Sequence, residues 1–378
     1  MVKNIETGLK FYDSLNEKII PDIWNELDNG LWRNFSIDNY LYNDTLAPVN
    51  LNRIKPLFSR FQQIVPGTYW NLFKNNLELD LYIPIFNSKN TFNDFVSTAE
   101  LYFNSLNAKK IGVHLSGGLD SSLIIGLLHY LKIPFVPIGL KSNSFEFRTE
   151  RKIQEILIEW GDDGLLLDME EYPYYSQLAD IPKHQIPDDD IKSIAGSKAI
   201  AKAFAERNCD VVLSGQGGDT LFVEEILDLS KISFNIGNEF LNPTEQDRIY
   251  EPLNIKLEAF YADTNIINAI CSARLGQKTD PLKKWARNWA KEVLPKELSE
   301  FSYCADFFGQ TMNGLNEAKS VIKDLMEEAY AFTSNQYFSP KNIKKFINQD
   351  VFSFEFQDYI RYCGLISIAS WFHSLFNN

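Results

Sequence analysis

Residues 116–122 read SGGLDSS. They follow an apolar run, KIGVHL (110–115), and lead into another, LIIGLLHYL (123–131). The pattern is a strand, a turn and a helix. Gly117 and Gly118 let a backbone approach a ligand closely. A helix beginning there offers unpaired N–H groups and a positive dipole end, both suited to phosphate. Ser116, Ser121 and Ser122 add hydroxyl donors. Asp120 repels a phosphate unless Mg²⁺ lies between them. The stretch is not a GxxxxGK[ST] loop, because it lacks the lysine, and it is not GxGxxG. Taken alone, it also reads as a serine-capped helix after a glycine turn.

A second stretch repeats the design. DVVLSGQGGDTLF (210–222) is an apolar strand followed by Ser214, Gly215, Gly217, Gly218 and Asp219. Turn chemistry does not explain two such loops at strand ends in one domain. Two aspartates facing one site, Asp120 and Asp219, can hold Mg²⁺ on a triphosphate. The glycines at both loops make room for the nucleotide.

The elements around these loops alternate. Helix FNDFVSTAELYFNSL (92–106) precedes the first strand. Strand FVPIGL (135–140), helix ERKIQEILIEW (150–160), strand GLLLDM (164–169) and helix GSKAIAKAFAERN (196–208) separate the two loops. Strands alternating with helices predict right-handed βαβ units and a parallel sheet. The short apolar strands suit a sheet covered on both faces. After about residue 223 the pattern is mostly helical, most clearly at 314–332 and 356–376. In the second, Leu365, Ile368, Trp371 and Phe372 form a stripe read as core, with a homodimer surface as the minority reading. Upstream, residues 1 to about 28 read as a helix, with Leu9, Tyr12, Leu15, Ile19 and Ile20 near helical spacing. YWNLFKNNLELDLYI (69–83) reads as a hairpin turning at Lys74–Asn76. The expected division is an α+β region over 1–92 and a second domain over 93–378. The latter has an α/β core to about 225 and a helical part beyond it.

Composition narrows the classes. The chain has 378 residues, 45% hydrophobic, which suits a folded globular protein with a sizeable core. A net charge of −13 argues against a nucleic-acid or acidic-membrane surface. No apolar run is long enough for a membrane span or a signal peptide. The four cysteines (Cys209, Cys271, Cys304, Cys363) are scattered, and the four histidines show no HExxH spacing. Neither a zinc site nor a disulfide framework is indicated, and a cytoplasmic setting is expected.

SGGLDSS together with SGxGxD resembles the synthetase domain of the asparagine synthetase superfamily, within the PP-loop ATP pyrophosphatases. The resemblance covers roughly 95–310. It implies an α/β, parallel-sheet, adenine-nucleotide α-hydrolase-like domain that uses ATP and Mg²⁺. By that match, Leu115, Ser116, Gly117, Gly118, Asp120, Ser121 and Ser122 bind nucleotide with Ser214, Gly215, Gly217 and Asp219. The backbone at Gly139 flanks adenine, and Asp120 and Asp219 hold the metal. IYEPLNIKLEAF (249–260) resembles the family segment in which a proline–leucine pair precedes a helix. KKWARNWAKEVLP (283–295) resembles its K-x-x-x-R segment, so Lys283 and Arg287 become candidates to contact phosphate; a solvated helix face is their other reading. RFQQIVPGTYWNLFKNNLELDLYIPI (60–85) resembles the end of the family's glutaminase domain. That domain needs a cysteine after the initiator Met, whereas position 2 is Val2 and no cysteine precedes Cys209. Glutamine hydrolysis is therefore not expected.

The implied chemistry is adenylation of a carboxylate, then attack by an amine, releasing AMP and pyrophosphate. The sequence departs from the family at three positions. The family's SGEG glutamate is Gln216 here, which can orient groups but not act as a base. The lysine expected after the Leu-Pro step is missing, and Tyr303 stands in that stretch. An aspartate of the PFLD segment corresponds to Asn254. The leading expectation is an amide- or lactam-forming ligase of biosynthetic type, closer to β-lactam synthetases and lasso-peptide cyclases. Its partners would be a small-molecule or peptide carboxylate and an amine. The rival is an ATP-binding scaffold that has lost acyl transfer. A tRNA- or sulfur-transfer pyrophosphatase is disfavoured by the second loop and the lack of paired cysteines.

Overall fold

The computed structural model describes residues 91–183, 187, 190–223, 246–274, 276–300 and 307–376, with short strands between residues 2 and 79. Those strands are β1 (Val2–Lys3), β2 (Lys10–Asp13), β3 (Lys18–Ile20), β4 (Phe61–Ile64), β5 (Thr68–Asn71) and β6 (Asn76–Leu79). They form two antiparallel sheets, ordered β1-β5-β6 and β3-β2-β4. The antiparallel pairing of β5 and β6 follows the sequence reading, but Asn76, read as part of the turn, is the first residue of β6 and lies opposite Asn71. The helix expected over 1–28 is corrected: the described parts of that segment are strands. Phe11 pairs with Gln63, roughly fifty residues away, and such long-range pairing overrides local periodicity.

The central sheet has the order β11-β10-β7-β8-β9, parallel throughout. Its strands are β7 (Ile111–His114), β8 (Phe135–Lys141), β9 (Leu165–Asp168), β10 (Val211–Ser214) and β11 (Lys256–Ala259). Alternate residues serve opposite faces. Ile111, Val113, Leu115, Val211 and Leu213 enter one core; Val136, Ile138 and Val212 enter the other. Two covered faces explain the nearly continuous apolar strands. Strand β11 corrects the sequence reading, in which the region beyond 223 was mostly helical and the Pro252–Leu253 pair preceded a helix. Its segment KLEA carries two charged residues, as an edge strand tolerates.

Helix α1 (Phe92–Ser105) starts at a reciprocal cap. Thr91 Oγ1 accepts from Asp94 N at 3.3 Å, and Asp94 Oδ2 accepts from Thr91 N at 2.7 Å. Its buried residues Phe95, Val96, Ala99, Tyr102 and Phe103 lie on one face. Helix α2 (Leu119–Tyr130) is apolar nearly all round and buried. Then follow α3 (Arg148–Leu157), α4 (Ile194–Glu206), α5 (Gly218–Val223), α6 (Thr264–Arg274), α7 (Lys284–Val293) and α8 (Lys296–Ser299). The helix expected over 314–332 divides into α9 (Phe308–Glu317) and α10 (Lys319–Thr333), with Ala318 (φ −85°, ψ 4°) between them. Finally come α11 (Pro340–Asn348) and α12 (Phe356–Phe376). The Leu365, Ile368, Trp371 and Phe372 stripe is core: all four are buried in one cluster with residues of α10.

Candidate active site

From β7 the chain winds outward through β8 and β9, then returns to place β10 and β11 on the other side. The order of strand addition therefore reverses between β7 and β10. The carboxyl ends of the strands flanking such a switch point form the crevice in which open α/β sheets bind ligands. Both glycine-rich loops leave these two ends.

The first loop is tightly built. Gly117 has φ +82°, and a Cβ there would stand 2.6 Å from the Glu150 carbonyl oxygen. Only glycine meets both demands. Ser116 Oγ lies 2.8 Å from Ser121 Oγ and accepts from Gly118 N at 3.2 Å. Ser122 Oγ donates to Gly118 O at 2.7 Å, and Ser122 is buried. Ser122 thus secures the turn from inside. Helix α2 has glycine at its N-cap and no side-chain cap, so its first N–H groups suit an external anion. Leu115 is buried, and its carbonyl accepts from Gln154 Nε2 at 2.9 Å. The same Nε2 donates to Leu140 O at 2.8 Å. A Cβ on Gly139 would stand 2.0 Å from Leu115 O, so glycine is what lets β8 approach the loop.

The second loop packs onto the first. A Cβ on Gly215 would lie 2.9 Å from Ser121 N, and one on Gly218 2.5 Å from Asp120 Cγ. Ser214 Oγ accepts from Gln216 N at 3.2 Å. Gly217 has φ +85°. The structure thus packs Ser116–Ser122 and Ser214–Asp219 against each other.

A lysine joins them. Lys283 Nζ lies 2.6 Å from Asp120 Oδ2 and 2.6 Å from Asp219 Oδ1. The Lys283 and Asp120 side chains are only 13% and 15% exposed, whereas that of Asp219 is 77% exposed. Burial raises the Asp120 pKa; Lys283 acts against it, Asp219 adds to it, and Arg287 acts against it. For Lys283, burial acts downward, but Asp120 and Asp219 outweigh it and hold the ammonium protonated. Arg287 turns toward the backbone: Nε donates to Leu282 O at 2.9 Å and Nη1 to Ser299 O at 3.3 Å. It braces α7 against α8 and reaches Asp120 through its field. Tyr303 lies outside the described residues. Asn254 caps a short turn before β11 in the left-handed region, φ 58°, a conformation asparagine tolerates.

Three contributors escaped the sequence reading. Gln154 was detectable: Glu150, Ile153, Gln154 and Leu157 form the buried face of α3, and a glutamine among them needs partners. Tyr261, fully buried, donates its hydroxyl to Asp120 O at 2.9 Å. His114 Nε2 lies 2.6 Å from Tyr250 Oη, and its ring stacks on Phe204. Nothing local signalled these last two. Among the described residues, no cluster of three or more His, Cys, Asp or Glu side chains is arranged for a metal, and no helix is long and apolar enough to cross a membrane. Cys209, Cys271 and Cys363 form no disulfide.

Residues 106–224 match the asparagine synthase family model, a span containing both loops. Over that span the chain is similar to the asparagine synthase family. Lys283 and Arg287 lie beyond the matched span. No curated protein matches the chain. Among solved structures it is similar to NMN synthetase from Francisella tularensis, with 13% identity, 62% of this chain and 93% of that one covered, and a TM-score of 0.28.

Proposed function

We propose that this protein is an AMP-forming ligase of the asparagine synthetase superfamily. It adenylates the carboxylate of a small molecule or peptide and joins it to an amine as an amide or lactam, in a biosynthetic role. The single observation that carries this reading is the meeting of the two loops at the switch point, with Asp120 and Asp219 on one Lys283 ammonium. Turn formation alone gives no reason to bring three charged groups together there.

The first loop and the start of α2 receive the pyrophosphate end of ATP through N–H groups and the Ser116 and Ser121 hydroxyls. Lys283 adds positive charge where negative charge grows on the leaving group. Arg287 positions it by bracing its helix. Mg²⁺ fits the donor set: Asp120 Oδ1 is buried without a hydrogen-bond partner, and carboxylate oxygens are the donors a hard cation takes. Asp120 and Asp219 would hold it, and it would supply charge neutralisation on the phosphates. Gln154, by fixing Leu115 O and Leu140 O, keeps the rims of β7 and β8 at a set spacing.

Gln216 stands in the second loop, where it can orient the acyl group or the amine by hydrogen bonds. It accepts no proton near neutral pH. The amine's proton then leaves to water or to the substrate itself. An amine supplied by the substrate, as in a cyclisation, fits this and the absence of cysteine from residues 1–208.

The test is carboxylate-dependent exchange of labelled pyrophosphate into ATP, run over a panel of amino acids, peptides and other carboxylic acids. The expected result is exchange with one substrate class, and AMP release once an amine is present. Formation of ADP and phosphate instead would overturn the reading. ATP binding without exchange by any carboxylate would favour the scaffold reading.

A further inference from the structure

The site holds a cation of its own, and its placement has a consequence for the order of binding. Lys283 Nζ sits 2.6 Å from one oxygen of Asp120 and 2.6 Å from one oxygen of Asp219. It therefore occupies the point at which the two carboxylates converge. The other Asp120 oxygen, Oδ1, is buried without a hydrogen-bond partner. An oxygen of this kind is what a hard divalent cation takes and what a single ammonium leaves over.

The lysine's position is built rather than incidental. Its backbone is left-handed, φ 49° and ψ 38°, a strained conformation for a residue with a Cβ. The turn is fixed by Asp280, whose carbonyl accepts from Lys283 N at 2.9 Å and whose Oδ2 accepts from Lys284 N at 2.6 Å. Asp280 N in turn donates to Val223 O at 2.8 Å, the end of the helix that follows the second loop. The lysine is thus tied to the element carrying Asp219. Its open side is Asp219, mostly exposed, while the Asp120 side is closed.

We propose that Lys283 is a resident stand-in for the divalent metal, which keeps free metal out until a polyphosphate draws the ammonium away. The proposal rests on the nucleotide reading above. A metal arriving alone must displace a tethered cation and leave it without a counter-ion. A metal arriving with a polyphosphate gives the lysine new anionic partners as it withdraws, so charge stays balanced at each position. Metal and polyphosphate then bind with mutual reinforcement, and neither binds well alone.

The test measures Mn²⁺ binding through the paramagnetic signal of free Mn²⁺, so activity plays no part. Native protein is expected to bind Mn²⁺ weakly alone and more than about tenfold tighter with inorganic tripolyphosphate present. Lys283→Met is expected to bind Mn²⁺ alone more than about tenfold tighter than native protein, because two carboxylates are left uncompensated. Lys283→Gln serves in its place if the methionine variant melts early. In either background, adding Asp120→Asn should abolish the gain. A folded Lys283 variant that binds Mn²⁺ no tighter than native protein would overturn the proposal. So would a native protein whose Mn²⁺ affinity ignores tripolyphosphate. A Mg·ATP titration of native protein separates the two readings: no ATP binding, with metal binding gained in Lys283→Met, would fail the nucleotide reading alone.

Discussion

Gly218→Ala tests whether the two loops form one site. A Cβ there would stand 2.5 Å from Asp120 Cγ and 2.8 Å from Asp120 Cβ and Oδ2. Favourable carbon contacts lie near 3.5–4.0 Å, so the shortfall is about 1 Å. The Asp120 carboxylate has little freedom to yield, because it is 15% exposed and 2.6 Å from Lys283 Nζ. Overpacking of this kind costs about 1–3 kcal/mol. A displacement of about 1 Å at a reacting centre can cost on the order of a hundredfold in rate. The expected variant is folded and modestly less stable in urea, but its Mg·ATP affinity falls by more than about tenfold. Calorimetric titration beside a urea curve reads both quantities. Unchanged affinity in a folded variant would mean that the second loop does not shape the site.

Gln154→Leu strands the carbonyl of Leu115 in a buried setting and that of Leu140 in a half-buried one, and urea denaturation should show a loss of about 1–3 kcal/mol; a loss below about 0.5 kcal/mol would show that Gln154 tethers neither strand. Burial pushes the His114 imidazole down to about 4 from 6.5. The unfolded chain therefore takes up the proton first as pH falls, so stability is full above about 6.5 and declines toward pH 4, by up to about 3 kcal/mol. His114→Gln should flatten that part of the curve while still reaching Tyr250 Oη, and parallel curves for variant and native protein would contradict the assignment.

The α/β core was legible because its signals are local. Each loop joins an apolar strand to a helix within a dozen residues, and glycines, serines and an aspartate mark its turn. The pairing of Asp120 with Asp219 was legible from repetition of the design. Strand β11 was not, because KLEA is short and charged and becomes a strand only by pairing with Val211–Ser214. The N-terminal strands were missed for the same reason: β2 finds its partner β4 far along the chain. Lys283 could be picked out by resemblance, but its bridge between two aspartates depends on how α7 docks against α2. Gly126 makes that docking close, since a Cβ there would meet Val293 and Leu294 side chains at 2.9 Å.

On the function proposed above, the two loops bind one Mg·ATP. The most direct test is a calorimetric titration of Mg·ATP into native protein and into Asp120→Asn, which keeps the side chain's shape and removes its charge. The account predicts saturable binding by the native protein and loss of more than about tenfold in affinity in the variant. Equal binding by both, or none by a folded native protein, would contradict it.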